Sequence, residues 1–142
     1  MMEPIQIFVV DDNERELAAT RAMLQTYKVH HKLQYARCGK DALALLHRQP
    51  AIAEISFIIL ISHQLPDMKG TELVAEIRRQ REWKQPRCFI LVDQDYSSDP
   101  FLYKHLQLSG FVTKPLKLNS PSGMGELNLA IDLMDYRMLQ GI

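Results

Sequence analysis

The run from Ile55 to Ile61, Ile-Ser-Phe-Ile-Ile-Leu-Ile, limits this chain more than any other segment. β-Branched and aromatic side chains favour extended backbone. A strand that is apolar on both faces has no side to turn to water, and so belongs inside a parallel sheet covered by helices above and below. Similar runs recur along the chain. Ile5 to Val10 reads as a buried strand ended by Asp11-Asp12-Asn13, and Lys32 to Arg37 as a weakly alternating strand at or near a sheet edge. Cys88 to Val92 reads as a fourth strand and Gly110 to Thr113 as a fifth.

Helical periods fill the gaps. Residues 14 to 27 carry Leu17 and Leu24 one heptad apart, with Ala18, Thr20 and Arg21 between them. Gly39 opens a second helix with Ala42, Leu45 and Leu46, stopped at Pro50. Thr71 to Glu82 is a third, with Leu73, Val74 and Ile77 on one face. Pro100 to Leu108 includes a short fourth helix. Met124 to Leu139 is the last, with Leu127, Ile131, Met134 and Met138 spaced three or four apart. Strands alternating with helices predict a doubly wound, five-stranded parallel α/β sheet flanked by five helices. In such sheets the functional crevice lies beyond the carboxyl ends of the strands. That directs attention to Asp11, Asp12, Ser62, Asp93 and Lys114.

The 142 residues, 46% hydrophobic and 24% charged, suit one soluble domain spanning 1–142. Seventeen basic residues balance seventeen acidic ones, which argues against a direct nucleic-acid surface. No apolar run approaches the ~20 residues needed to span a bilayer. Met1-Met2-Glu3-Pro4 lacks the features of a secretory leader. Cys38 and Cys88 stand fifty residues apart with no CxxC, and read as free buried thiols in a reducing cytoplasm.

Asp11 and Asp12 leave the first strand side by side. Such a pair either caps the next helix or forms a hard-cation site, since Mg²⁺ prefers oxygen ligands and takes only one or two protein carboxylates. Lys114, before Pro115, can reach the same crevice, offset those carboxylates and hold a phosphate as a point charge. Its amine is expected to pair with Asp11 or Asp12. His63 adjoins Ser62, but neighbours on an extended segment point in opposite directions, so His63 is poorly placed to activate that hydroxyl. No third group orienting its imidazole is evident. His30-His31 reads as a loop pair, and Trp83-Lys84-Gln85-Pro86 as an exit from the third helix. Asp67 is expected to cap the turn before Gly70.

Three fragments, "FVVDDN", "LPDMKGTELV" and "GFVTKPL", occur in an order and spacing that resemble the receiver domain of two-component response regulators, the chemotaxis-regulator family. The resemblance runs from Ile5 to about Leu139 and implies a flavodoxin-like fold. It maps the family's Mg²⁺-holding acids onto Asp11 and Asp12, its phosphoryl-contacting lysine onto Lys114, and its rotameric switch aromatic onto Phe111.

The departures carry as much weight. The family's phosphoacceptor aspartate lies four residues before the loop proline, and counting back from Pro66 gives Ser62. The small hydroxyl residue that ends the family's fourth strand falls on Val92 or Asp93. A serine hydroxyl is a weak nucleophile without a base and would form a stable ester instead of a hydrolysable acyl phosphate. Ser62 also removes one negative charge from the metal pocket, which Asp93 would restore if it faced the crevice. With Ser62 in place of that carboxylate, Mg²⁺ binding should be weak.

The resulting expectation is a degenerate, phosphorylation-independent, non-enzymatic receiver that acts through a protein partner: a sensor kinase, a phosphotransfer protein or an effector. Its contact surface would be the family's output face, roughly Pro100 to Met138, with Phe101, Tyr103, Leu106 and Phe111, and the same face could form a homodimer. The alternative is a phospho-accepting regulator with an atypical acceptor or residual Mg²⁺-dependent phosphate binding. A hydrolase or nucleotide-binding enzyme lacks support, because no GxGxxG, Walker A or GxSxG motif occurs. The chain is either a stand-alone regulator or a domain cut from a longer protein.

Overall fold

The computed structural model describes residues 6–26, 32–48, 57–80, 86–96, 100–117 and 123–139. Ile5, His30-His31, Pro50, Ile55 and Trp83 lie outside them, as do the side chains of Met134 and Met138. Five strands, β1 (Gln6–Val10), β2 (Lys32–Ala36), β3 (Phe57–Ser62), β4 (Arg87–Val92) and β5 (Gly110–Thr113), form one sheet in the order β2-β1-β3-β4-β5. Every pairing is parallel, with Val10 opposite Ile61, Ser62 opposite Leu91 and Val92 opposite Thr113. The helices are α1 (Glu14–Thr26), α2 (Gly39–His47), α3 (Gly70–Arg79), α4 (Pro100–His105) and α5 (Met124–Leu139). The expected five-stranded, doubly wound sheet is therefore present, with β2 at its edge. The order reverses between β1 and β3, the switch point at which such sheets open a crevice.

Both faces of the sheet are dry. Ile7 and Val9 of β1, Ile58 and Leu60 of β3 and Phe89 of β4 pack with Leu17 and Leu24 of α1 and Leu129 and Leu133 of α5. Phe8, Val10, Ile59, Ile61 and Ile90 point the other way, onto Leu46 of α2 and Leu73, Val74 and Ile77 of α3. Successive residues of one strand thus enter different cores, as a period of two demands.

The third helix ends earlier than its sequence period suggests, and the short fourth helix lies within its expected span. At Gln80 the backbone turns extended, so α3 stops at Arg79. The fourth helix stops at His105, and Gln107 adopts a left-handed φ of 53°. Arg78 of α3 reaches across and donates to the carbonyls of Leu106 and Gln107, both at 3.0 Å. Those groups have left the helix ladder and need other partners.

The last helix turns a different stripe inward from the one its apolar spacing marks out. Leu127 and Ile131 are exposed, while Gly125, Glu126, Leu129, Ala130 and Leu133 are buried. The close fit at Gly125 sets this rotation, because a Cβ there would lie 1.8 Å from the Phe111 carbonyl oxygen of β5. Glu126 follows it inward and accepts the Thr113 backbone N–H at 2.9 Å. The cysteines also differ from one another. Cys88 is buried and its thiol is pushed up to about 11 by desolvation. Cys38, expected to be buried, is only half-buried and caps α2 by accepting the Asp41 N–H on Sγ at 3.4 Å.

Gly125→Ala should lower stability by about 2 kcal/mol despite alanine's better helix propensity, because the obstructing atom is backbone and α5 must lift off β5. Chemical denaturation of the two proteins measures the difference.

Candidate functional site

Three strands deliver the site. Beyond β1, Asp11 is 1% exposed, and its N–H still donates to Ala36 at 3.0 Å, continuing the sheet past the strand end. Its Oδ1 accepts the Asn13 N–H at 3.0 Å. Asn13 in turn accepts the N–H groups of Arg15 and Glu16 at 3.0 and 3.1 Å, which makes it the N-cap of α1. The Asp-Asp-Asn triplet therefore divides its work: Asp11 faces inward, Asp12 is exposed, and Asn13 starts the helix. That start places Glu16 in the first turn of α1, above the crevice.

At the end of β3, Ser62 is buried. Gly70, the first residue of α3, packs against it so closely that a Cβ would lie 2.4 Å from the Ser62 carbonyl oxygen. Only a residue without a side chain allows that approach. The Ser62 hydroxyl donates to the Gln64 carbonyl at 3.3 Å. His63 turns away from Ser62, as the alternation predicts. Its Nε2 lies 3.2 Å from Asp93 Oδ2, and its ring lies 5.3 Å from that of Tyr96. An orienting carboxylate is therefore present for this imidazole, but it directs the ring away from the serine.

From β5, Lys114 crosses the end of β4, a reach that its four-carbon stem allows. Its side chain is only 11% exposed, and its ammonium lies 2.6 Å from Glu16, 2.9 Å from Ser62 Oγ and 3.2 Å from Asp11 Oδ2. The Asp11 pairing matches expectation. The Glu16 pairing does not appear in the sequence reading, because its partner stands 98 positions away. Burial raises the Asp11 carboxyl above its ordinary value, and the Asn13 N–H and the Lys114 charge only partly oppose that rise.

Of the two residues left open at the end of β4, Val92 packs into the core and Asp93 stands at the crevice mouth, 58% exposed. A cavity of about 330 Å³ opens there, between α1 and the segment after β5, lined by Arg15, Glu16, Asp93, Gln94 and Lys114 among others. Asp93 lies against His63, and Glu16 is the second carboxylate at the lysine. Asp67 does not cap its own turn. It accepts the N–H groups of Gly39 and Lys40, both at 2.9 Å, at the start of α2. Desolvation raises its pKa, but the backbone donors outweigh that and hold it below the ordinary range.

The model of the response regulator receiver domain family matches residues 7–120. The chain belongs to that family. It is similar to response regulator Rcp1 of Synechocystis sp., with 26% identity over 141 residues, covering 98% of this chain and 86% of that protein. A two-component response regulator from Legionella pneumophila shares the fold with a TM-score of 0.70 and 24% identity, over 97% of this chain and 99% of the other. The chemotaxis response regulator CheY4 of Vibrio cholerae shares it with a TM-score of 0.69 and 19% identity, over 94% and 99%.

Receiver domains typically bind Mg²⁺ at the acceptor site. The residues of this receiver do not fit that ion. Asp11 Oδ2 is buried against the Lys114 ammonium, Asp12 is exposed, and position 62 supplies a hydroxyl. Among the described residues no three His, Cys, Asp or Glu side chains are grouped to hold a metal. Asp11 and Asp12, expected as a metal-binding pair, are thus directed apart.

The raised pKa of Asp11 has a stability consequence. Between its unfolded and its higher folded pKa the native state holds more protons, so stability falls as pH rises through that window and stays lower above it. Asp11→Asn keeps the acceptor for Asn13 and removes that penalty. Its thermal midpoint should exceed that of the wild type at pH 7, with the gap narrowing towards pH 4 in a series of melts.

Proposed function

We propose that this receiver signals without phosphorylation, through protein–protein contact on the face formed by α4, β5 and α5. The observation that carries the proposal is the end of β3: the Ser62 hydroxyl accepts from Lys114 at 2.9 Å and donates to Gln64 at 3.3 Å. A lysine that donates to this oxygen cannot also remove its proton, and His63 points elsewhere, so the serine has no activating base. The family's small hydroxyl at the end of β4 is replaced by Asp93, which would repel a phosphoryl group carrying up to about two negative charges.

The proposed contact face carries the material that interfaces favour. Phe101 is 67% and Met124 68% exposed, and Tyr103, Leu127 and Ile131 are exposed beside them on α4 and α5. Leu106, expected on that face, lies in the core. Receiver domains as a family interact with kinases or effectors. For this chain the partner is a sensor kinase, a phosphotransfer protein, an effector or a second copy. No described helix is long and apolar enough to cross a membrane, and a cytoplasmic setting accords with the free thiols.

Incubation with acetyl phosphate and Mg²⁺, read by intact mass, should leave the protein unmodified. Acid-labile or acid-stable phosphoryl incorporation would favour the atypical acceptor instead. Ser62→Asp should gain Mg²⁺-dependent modification. Even so, the Phe111 ring and the α4 amides should shift little in NMR spectra, because a ligand moves an equilibrium only through its differential affinity for the two states. Shifts there as large as those around residue 62 would show that the switch is intact.

A further inference from the structure

Three oxygens from three separate elements converge on one nitrogen. Asp11 follows β1, Glu16 belongs to α1, Ser62 ends β3, and all lie within 2.6 to 3.2 Å of the Lys114 ammonium. A shell of carboxylate and hydroxyl oxygens is what a hard cation recruits. Asp11 Oδ2 is buried, and the group facing it is the Lys114 ammonium at 3.2 Å. A buried carboxylate oxygen is costly unless a cation faces it, and the Lys114 ammonium is the cation that does.

We infer that Lys114 is the resident cation of this site, that Glu16 holds it there, and that the pair excludes Mg²⁺. The inference rests on the reading of position 62 as an acceptor position without a carboxylate, and it assigns to Glu16 a positioning role outside the family motif. With an aspartate at position 62 the lysine would have another anion nearby. With a serine there, Asp11 is the one strand-end carboxylate paired with the ammonium among the described residues, and the long Glu16 side chain supplies the second from the helix side. The chelate is intramolecular, so its ammonium is present at an effective concentration that free ions do not match.

The test compares wild type, Lys114→Met and the double variant Lys114→Met with Glu16→Gln. Thermal melts with and without millimolar Mg²⁺ and a Mn²⁺ titration read by paramagnetic broadening provide the measurements. The wild-type midpoint should not respond to Mg²⁺. The Lys114→Met midpoint should rise, and its Mn²⁺ affinity should exceed that of the wild type by about tenfold or more, because a repelling charge has left an oxygen-lined hole. The double variant should lose that gain. A wild-type response equal to that of Lys114→Met, no response in Lys114→Met, or a gain that survives in the double variant would each overturn the inference. Should Lys114→Met fail to fold, the ammonium of wild-type Lys114 can be followed directly by ¹⁵N NMR. Its protons should exchange slowly and stay unaffected by Mg²⁺, and faster exchange on adding the ion would overturn the inference. Phosphoryl incorporation into the wild type would defeat the functional proposal while leaving these cation measurements standing. Saturable Mg²⁺ binding without incorporation would do the reverse.

Discussion

A parallel sheet whose central strand is apolar on both faces gathers its functional polar groups at the strand ends, and the architecture follows from that limit. Residues 58–61 of β3 are all buried, so no charge can be inserted along the strand without meeting a core. Hydrophilic side chains collect at the carboxyl edge, where every strand ends in the same direction. The edge is extended in order by the Asp11 N–H to Ala36, the His63 N–H to Leu91 and the Lys114 N–H to Val92. These bonds align the loop residues as if the sheet ran one step further. Groups far apart in the chain therefore meet within hydrogen-bonding distance.

Meeting there imposes an electrostatic condition. Asp11 is buried and an unpaired buried charge is strongly unfavourable, so a cation must come to it. Lys114 supplies that cation, with Glu16 as its second carboxylate neighbour, and Asp93 pairs with His63. That second pair connects the edge to the output side. His63 lies against Tyr96, Tyr96 against Phe111 at 5.7 Å, and Phe111 against Tyr103 at 6.2 Å. The aromatic that matches the family's switch is held within a row of rings.

Much of the sheet is legible in the sequence because a two-sided apolar strand such as β3 admits few alternatives. Asp11 and Lys114 are legible because each directly follows a strand whose end is clear. Glu16 is not, since a glutamate in the first turn of a helix reads as a favourable dipole partner, and nothing local marks a contact 98 positions away. The orientation of α5 is hidden for a different reason. Hydrophobic spacing points to Leu127 and Ile131, whereas backbone contact at Gly125 decides the rotation, and a glycine contributes nothing to an apolar pattern. Asp67 is misread by proximity: its own turn is near in sequence, but the amides of Gly39 and Lys40 are better aligned donors.

The arrangement also bears on what a receiver of this kind could transmit. A switch needs two states that some input distinguishes. In this chain Asp11, Glu16 and Lys114 at the input end already face one another across separate elements. An added anion at residue 62 would have to compete with Asp11 and Glu16 for one ammonium, and would meet Asp93 across the mouth. On the function proposed above, the differential affinity available to it is small on both counts. What remains variable is the other end of the ring row, where Tyr103 and Phe101 are exposed beside the apolar stripe of α5. On the functional reading proposed here, information would enter and leave through that surface. A partner that buries Tyr103 would bear on Phe111 through direct ring contact, and the crevice around Ser62 would serve as the fixed support against which Tyr96 and His63 rest.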